Sequence, residues 1–278
     1  FFKVEDYIIA CKNRKYLFIC WSKKMSKNPV AIVTGGSRGV GAATAKILSS
    51  NGWNVVITCS SSIKEAKTVA AECSTENTEV LALLANVSNN DDCVLTINTA
   101  IKKWGRLDAL VNNAGTTRFA WDHSNLEGVN AEDFQAIYSV NVIGPFQMVK
   151  AAKEHLLKSD RPSVVNVSSI AGIKGVGSSI AYAASKGALN TMTLSMARNL
   201  GPIRVNAVCP GFIQGEWLKK GLGDNLYESA KKHIENTAPL GKTASPESIA
   251  EIIYNLIDKS ELVTGQFIIA DGGASLNL

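Results

Sequence analysis

Residues 30–41 read VAIVTGGSRGVG, a short apolar run followed by a turn that contains four glycines. The run has the length and composition of a buried strand, and the apolar spacing of residues 40–48 is helical. Glycines between a strand and a helix let backbone N–H groups approach a phosphate at the positive end of the helix dipole. No Gly-Lys-Ser/Thr follows, so the stretch predicts a dinucleotide-binding turn rather than a nucleoside-triphosphate loop. Its expected contacts are Gly35, Ser37, Arg38, Gly39, Val40 and Gly41.

Strand-like and helical segments alternate beyond this turn. The predicted strands are residues 30–33, 55–57, 79–84, 108–112, 163–168, 203–208 and 266–270, and the predicted helices are residues 40–48, 63–73, 91–104, 131–157, 182–200 and 246–258. Apolar strands that alternate with helices indicate a parallel sheet covered on both faces. Because no linker or repeat interrupts the alternation, we predict an α/β, doubly wound Rossmann fold with a mostly parallel sheet in a single domain.

Composition and charge exclude several function classes. The chain has 278 residues, of which 46% are hydrophobic and 19% charged, as in ordinary globular proteins. Its net charge of +5 is concentrated in residues 1–24, and the other residues are nearly neutral. A neutral body has no electrostatic footprint for nucleic acid. No stretch approaches the roughly 18 apolar residues of a membrane-spanning helix, so neither nucleic acid nor a membrane is an expected partner.

The first 24 residues differ from the rest. The sequence begins with Phe1, and Met25 stands shortly before the first strand-like run. We expect residues 1–24 to be a leader outside the domain, which then spans residues 25–278. The alternative is a basic arm that targets the protein or binds a membrane surface.

Cysteines and histidines give no sign of a disulfide framework or a metal site. The six cysteines include no C-x-x-C pair, and Cys59 and Cys209 fall in apolar, strand-like runs. This usage is typical of reduced thiols, so we predict a cytoplasmic protein. The three histidines are isolated from one another, and we predict no bound metal.

The residues after the second predicted strand indicate which dinucleotide binds. An Asp or Glu is expected there to accept a hydrogen bond from the ribose 2′-hydroxyl, but the chain reads Thr-Cys-Ser-Ser-Ser at 58–62. Arg38, Ser60 and Ser61 could instead bind a 2′-phosphate. We therefore predict NADP(H) over NAD(H). The alternative is that Arg38 is solvated and the serines only begin a helix.

Four polar residues form a candidate catalytic group. Tyr182 and Lys186 lie four residues apart in a predicted helix, so both side chains share one face. A nearby ammonium group stabilises a tyrosinate and lowers the tyrosine pKa, which permits proton exchange with a carbonyl or alcohol oxygen. Ser169 follows a predicted strand, where its hydroxyl can hydrogen-bond that oxygen. Asn141 lies in a helical run that the following Gly-Pro pair disturbs, where a polar side chain can hold a water.

Together these motifs resemble those of the short-chain dehydrogenase/reductase family over essentially all of residues 28–278. The matching segments are T-G-x-x-x-G-x-G at 34–41, Asn86-Val87, N-N-A-G at 112–115, Asn141, Ser169, Tyr182-x-x-x-Lys186, Pro210-Gly211 and Asp271-Gly272-Gly273. Their joint order and spacing make the resemblance specific. It implies a seven-stranded Rossmann sheet and an enzyme that transfers a hydride between a nicotinamide and a carbonyl or secondary alcohol.

The resemblance also implies roles for individual residues. Tyr182 would be the acid/base, Lys186 would hold the nicotinamide ribose and tune Tyr182, Ser169 would polarise the carbonyl, and Asn141 would anchor a water in a proton relay. The implied cofactor contacts are Asn86 and Val87 beside adenine, Asn113, Ala114 and Gly115 along the ribose, and Pro210, Gly211 and Ile213 near the nicotinamide. A homotetramer is implied as well, built by pairing the helices that contain Asn141 and Tyr182.

Two departures from the family pattern affect these expectations. Many members carry a Thr after the segment at 210–213, where it helps to hold the nicotinamide carboxamide; this chain has Gln214 and Gly215. Gln214 or the backbone could make that contact. Residues 197–204 are also about two residues shorter than is usual, which predicts a tighter helix-to-strand turn.

The substrate is less well defined by the sequence. Residues 214–240 form a predicted lid, in which large apolar residues such as Trp217 lie among lysines. A flap that closes over an apolar substrate fits this pattern, and so does a pair of surface helices packed on the body. In the loop after residues 112–115, Trp121 and His123 could line the pocket entrance.

The pattern is most similar to that of 3-oxoacyl-acyl-carrier-protein reductases. We therefore expect a small carbonyl or alcohol substrate, with an acyl thioester as a candidate. Lys158 and Arg161 are candidates for docking an acidic carrier protein. An alternative of a different class is an NADP(H)-binding sensor or assembly protein without turnover.

Overall fold

Seven parallel strands form one sheet in the order β3-β2-β1-β4-β5-β6-β7. The computed structural model describes residues 27–277, so the predicted leader, residues 1–24, lies outside the described residues. The strands are β1 (Val30–Val33), β2 (Asn54–Cys59), β3 (Val80–Leu84), β4 (Ala109–Asn112), β5 (Ser163–Val167), β6 (Arg204–Pro210) and β7 (Phe267–Ala270). The strand order reverses between β1 and β4, and a crevice forms at such a switch point.

Helices connect the strands. They are α1 (Gly39–Ser50), α2 (Ile63–Cys73), α3 (Asn90–Trp104), α4 (Ala131–Tyr138), α5 (Gly144–Leu156), α6 (Ala171–Lys174), α7 (Ile180–Asn199), α8 (Glu216–Leu222), α9 (Asp224–Thr237) and α10 (Pro246–Asp258). A π-helical turn (Ser139–Ile143) joins α4 to α5, and 3₁₀ turns lie at Leu126–Gly128 and Ala274–Asn277. No helix within residues 27–277 is long and apolar enough to cross a membrane.

The core lies on both faces of the sheet because successive strand residues point to opposite sides. Ala31 and Val33 of β1 belong to the apolar layer that contains α1 and α10, whereas Val30 and Ile32 belong to the layer that contains α3 and α5. Every residue of β1 and β2 is buried. This two-sided burial explains why the strands are nearly continuous apolar runs rather than alternating ones.

The predicted Rossmann fold with a seven-stranded parallel sheet in a single domain is confirmed. Most predicted elements agree with the observed ones to within one or two residues at each end. One difference is the helix predicted over residues 131–157, which is interrupted by the π-helical turn. Pro145 lacks a backbone N–H and therefore cannot continue the regular hydrogen-bond ladder of the preceding helix.

Candidate active site

The carboxyl ends of the parallel strands meet at one edge of the sheet, and most of the predicted site residues follow these ends. The loops after β1 and β4 are joined there by hydrogen bonds. The N–H groups of Asn113 and Ala114 donate to Thr34 Oγ1, each over 3.0 Å. The Asn113 side-chain amide donates to the carbonyl oxygens of Thr34 (2.9 Å) and Gly35 (3.0 Å). Asn113 therefore fixes the shape of the glycine turn.

The glycine turn has the shape expected of a phosphate cradle. A side-chain carbon at Gly41 would lie 2.6 Å from Asn113 Nδ2 and would overlap the Gly35 carbonyl, so only glycine fits there. Gly39 has a φ of +55°, in the left-handed region that favours glycine. No side chain caps the N-terminus of α1, and its first turn carries no acidic residue. Its N–H groups and positive dipole end therefore fit a pyrophosphate.

The residues that follow β2 and β3 lie farther along the same edge. Ser60 and Ser61 are exposed, as is Arg38 in the glycine turn. Asn86 is exposed, and its Oδ1 accepts hydrogen bonds from the N–H and hydroxyl of Ser88. Val87 is buried against Gly144, where an added side-chain carbon would lie 2.7 Å from Val87 Cγ2.

Asn141 lies on the π-helical turn and is fully buried. Its Oδ1 accepts from the Thr116 N–H over 2.8 Å, and its amide donates to the Thr116 carbonyl and to Ser185 Oγ, each over 3.0 Å. Ser185 in turn donates to the Tyr182 carbonyl over 2.7 Å. Asn141 thus links the loop after β4 to α7. Both hydrogens of its amide are used in this linkage.

Tyr182 lies in the first turn of α7, which begins there because the Ser179 hydroxyl accepts from the Tyr182 N–H over 3.1 Å. Lys186 follows one turn later, and its Nζ lies 5.6 Å from the centre of the Tyr182 ring. Lys186 is 4% exposed, and its amine donates to the Val167 carbonyl at the end of β5 over 2.8 Å. Ser169 follows β5 and hydrogen-bonds the Tyr182 side chain. The structure therefore brings Ser169, Tyr182 and Lys186 together.

Burial controls the protonation of this group. Loss of hydration raises the pKa of Tyr182 to about 12, although the hydrogen bond from Ser169 acts in the opposite direction. Burial likewise lowers the pKa of Lys186 to about 8, because the ammonium form loses its hydration. The effect of Lys186 on the Tyr182 pKa stays a prediction, because desolvation dominates the Tyr182 pKa in the protein without cofactor. Desolvation is the larger effect on both groups.

The loop after β6 approaches the same edge. The Pro210 carbonyl accepts from the Ile170 N–H over 3.0 Å, and a side-chain carbon at Gly211 would lie 2.7 Å from Asp271 Cβ. Ile213 pairs with Ala244 in an isolated bridge. The Gln214 amide donates to Thr243 Oγ1 over 2.9 Å, so this side chain is directed toward the segment before α10.

The predicted lid consists of α8 and α9. Trp217 of α8 lies between Phe119 and Tyr182, with ring centres 5.4 Å and 6.3 Å apart respectively. Of the two residues expected at the pocket entrance, Trp121 stacks on Phe119, whereas the His123 ring bonds the Gly177 carbonyl. Tyr227 is buried, and its hydroxyl accepts from the Gly215 N–H over 3.1 Å.

Sequence reasoning missed several residues of the site. Phe119, Ser185 and Thr243 each contact a predicted site residue, but none belongs to a motif that would reveal it. The interpretation of Lys158 and Arg161 as a docking patch is wrong for geometric reasons. Both precede β5 and therefore lie at the amino edge of the sheet, opposite the candidate site. Arg161 also pairs with Glu261 over 3.0 Å.

The parallel sheet has a glycine cradle at its switch point and a Ser–Tyr–Lys group at the same edge. This combination defines the class of Rossmann-fold oxidoreductases. A family model described as enoyl-(acyl carrier protein) reductase matches residues 35–275. The chain belongs to the short-chain dehydrogenase/reductase family.

Individual relatives agree with this assignment. The chain is 40% identical to a protein named ketoacyl reductase 2 of the granaticin polyketide synthase from Streptomyces violaceoruber, over 89% of this chain and 96% of that protein. It is 36% identical to the 3-oxoacyl-[acyl-carrier-protein] reductase FabG of Thermotoga maritima, over 88% and 96% of the two chains. A crystal structure described as a short-chain dehydrogenase/reductase from Burkholderia xenovorans is 40% identical, with a TM-score of 0.83 over 91% of this chain and 100% of that one.

Proposed function

We propose that this oxidoreductase uses NADP(H) and reduces the keto group of 3-oxoacyl thioesters. The observation that carries the proposal is the contact among Ser169, Tyr182 and Lys186, with the amine buried beside the phenol. A full set of proton donor, oxygen-binding hydroxyl and cation supports turnover rather than cofactor binding alone. The names of the relatives support the 3-oxoacyl group as the substrate class.

The residues fit a proton-transfer step that accompanies reduction. The bound nicotinamide supplies the hydride. A Tyr182 side chain with a pKa of about 12 stays protonated at neutral pH, so it can donate its proton to the more basic oxygen that develops on the substrate. Ser169 holds that oxygen by a hydrogen bond. Lys186 would hold the nicotinamide ribose, and its ammonium form would return a proton to Tyr182 and regain one from solvent.

In this scheme the main role of Asn141 is to hold two segments of the site in place. Its side chain fixes the loop at Thr116 and, through Ser185, the start of α7. Because both amide hydrogens are used, a relay water would bind to the remaining lone pair of Oδ1.

The cofactor preference rests on the residues around the ribose of the adenosine half. β2 ends in Cys59 and is followed by exposed serines, with no carboxylate to repel a 2′-phosphate. Arg38 is also exposed and forms no ion pair within residues 27–277. A free guanidinium suits bidentate binding of phosphate. The remaining cofactor contacts proposed are Gly35, Ser37, Gly39, Val40, Gly41, Ser60, Ser61, Asn86, Val87, Asn113, Ala114, Gly115, Pro210, Gly211 and Ile213.

We further propose a cytoplasmic homotetramer. Ile143, Phe146 and Leu194 are 47–50% exposed on the outward faces of the π-helical turn, α5 and α7. Apolar residues exposed on neighbouring elements suit an interface between subunits. The four described cysteines are buried free thiols, as suits a reducing compartment.

The test is a reductase assay with acetoacetyl coenzyme A as the 3-oxoacyl thioester, in which loss of reduced-nicotinamide absorbance is followed with NADPH and NADH in parallel. We expect turnover with NADPH, and we expect Tyr182→Phe to lower kcat by about 10²–10⁴-fold, the usual contribution of a general acid. NADPH binding, measured by fluorescence, should remain in that variant. Turnover that survives Tyr182→Phe would refute the role of Tyr182, and NADPH binding without turnover of any 3-oxoacyl compound would refute the function.

A further inference from the structure

Three aromatic residues form a continuous surface beside the phenol that we assign as the proton donor. Phe119 and Trp121 belong to the loop after β4, and Trp217 belongs to α8; we call them the aromatic wall. The ring centres of Phe119 and Trp121 are 5.6 Å apart, with the planes inclined by only 25°. Trp217 lies 5.4 Å from Phe119 and 6.3 Å from Tyr182. Through Trp217, the wall therefore lies next to the Tyr182 ring.

Specific contacts between the loop and the lid hold the wall in place. The Trp121 indole donates its N–H to the Gly221 carbonyl over 3.1 Å. A side-chain carbon at Gly221 would overlap the Phe119 ring, so the absence of a side chain there makes room for the phenyl group. Both contacts are made at Gly221, and together they pack α8 against the loop. The wall is part of the fold and not a chance contact of surface rings.

The wall also leaves aromatic surface open. Trp121 and Trp217 are 40% and 41% exposed, although the chain buries its other described tryptophans, Trp53 and Trp104. Phe119 and Trp217 line a cavity of about 560 Å³ together with charged residues of the lid and Arg38, the residue that we assign to the cofactor. Large apolar groups exposed at a cavity are typical of a ligand-binding surface.

We propose that the aromatic wall binds a ring carried by the substrate, so that the preferred substrate is a 3-oxoacyl compound whose acyl chain ends in an aromatic ring. The inference rests on the proposed function, because it places the keto group at Tyr182 and the ring on Phe119 and Trp217. A flat ring gains stacking on these side chains that a flexible alkyl chain of equal size does not gain. Trp217 is then the specificity-determining residue, since it is the residue of the wall that contacts both Phe119 and Tyr182.

The experiment compares three 3-oxoacyl coenzyme A thioesters, called esters below, that differ only at the end of the chain: a phenyl ring, a cyclohexyl ring or a straight alkyl chain with the same number of carbons. The ring is separated from the keto group by two methylene groups, so the carbonyl has the same reactivity in all three. With NADPH, we expect kcat/KM for the phenyl ester to exceed that for each of the other two by about tenfold. Trp217→Leu should remove most of this preference, and Trp217→Phe should keep it.

Control variants separate the ring contact from effects on folding. Phe119→Leu removes a different ring of the wall and should also reduce the preference. Leu226→Ala changes an exposed apolar residue of α9 outside the wall and should leave the preference unchanged. Circular dichroism and thermal unfolding of each variant show whether the lid change has disturbed the fold.

A binding measurement makes the two proposals separable. Tyr182→Phe is titrated with each ester in the presence of NADPH, and tryptophan fluorescence is recorded. Preferential binding of the phenyl ester without turnover by the wild-type protein would support the aromatic wall and overturn the proposed reductase function. Turnover of all three esters with equal kcat/KM would overturn the aromatic wall and leave the reductase function standing. If the phenyl ester is neither bound nor turned over, the proposal that the aromatic wall binds a substrate ring is wrong.

Discussion

Lys186 and Tyr182 show how burial of single residues sets the chemistry of the site. Burial moves both pKa values toward the neutral form of each side chain, to about 8 for the amine and about 12 for the phenol. The amine therefore titrates close to neutral pH, while the phenol keeps its proton. Each group is held in place by a neighbour, Val167 for the amine and Ser169 for the phenol.

The lowered pKa of Lys186 predicts a pH dependence of stability. The amine titrates near 8 in the folded protein and at 10.5 in the unfolded chain, so between these values the unfolded chain holds more protons and stability rises with pH. Below pH 8 the buried amine is charged, and its burial lowers the free energy of unfolding by the full amount of about 3 kcal/mol. Lys186→Met should abolish this rise and increase the free energy of unfolding at neutral pH. The increase is reduced by the free energy of the lost hydrogen bond to the Val167 carbonyl.

Urea unfolding at about pH 7 and about pH 9.5 measures the effect as the difference between wild type and variant. Other titrating groups are common to both proteins and cancel in this difference. Lys174→Met, which replaces an exposed lysine, is the matched control and should show no such difference. If the free energy of unfolding changes equally between the two pH values in wild type and in Lys186→Met, the lowered pKa of Lys186 is contradicted.

Arg38 carries the second prediction at this scale. Arg38→Ala should weaken NADPH binding about tenfold and leave NADH binding nearly unchanged, because only NADPH has the 2′-phosphate. Because Arg38 is exposed, the expected loss of NADPH binding free energy is at the low end of the range for hydrogen bonds to charged groups. Ser60→Asp places a carboxylate after β2 and should reverse the preference. Isothermal titration measures both cofactors, and equal losses in the Arg38→Ala variant would refute the phosphate contact.

The site could be predicted from sequence only where spacing carries the information. Tyr182 and Lys186 are one helical turn apart, and Ser169 follows a recognisable strand, so local patterns identify all three. Phe119 and Trp217 lie far apart in the sequence and meet only because α8 folds over the loop after β4. The size of the Tyr182 pKa shift depends on burial, which no motif reports.

At the scale of elements, the short turn between α4 and α5 has the largest consequence for the site. Its π-helical geometry displaces Asn141 from the regular ladder and directs its amide to Thr116 and Ser185. The sequence predicted a disturbance here because of Gly144 and Pro145. It did not predict the type of turn, since that depends on the partners of Asn141 in other elements.

We expect Asn141→Ala to destabilise the protein by about 2–3 kcal/mol, because three hydrogen bonds are lost and the partly buried Thr116 N–H is left without its side-chain acceptor. The start of α7 would also lose support, so kcat should fall even with NADPH saturating. Denaturant unfolding and steady-state kinetics measure the two effects. Asn255→Ala, an exposed amide on α10, is the control. A variant as stable as wild type would show that Asn141 does not hold these elements together.

At the scale of the whole molecule, the strand order explains why the fold follows so directly from the sequence. Parallel strands buried on both faces must be apolar throughout, and their connections must be long enough to hold a helix, so the alternation is visible without structural information. The lid is different. Its helices α8 and α9 follow Gly215 and Gly223 and pack on loops rather than on the sheet, so periodicity alone left open whether they form a flap or a surface pair.

The outward faces of α5 and α7 carry the last prediction. Phe146 is 50% exposed and, with Met196 and Leu200 of the segment ending α7, lines a groove of about 270 Å³. If these faces pair with those of a second subunit, Phe146→Glu buries a charge at the interface, which costs several kcal/mol unless the subunits separate. Sedimentation velocity should then show a tetrameric wild type and a smaller Phe146→Glu species. Leu95→Glu, on the exposed face of α3, should remain tetrameric. A Phe146→Glu variant with wild-type mass would place the subunit interface elsewhere on the molecule.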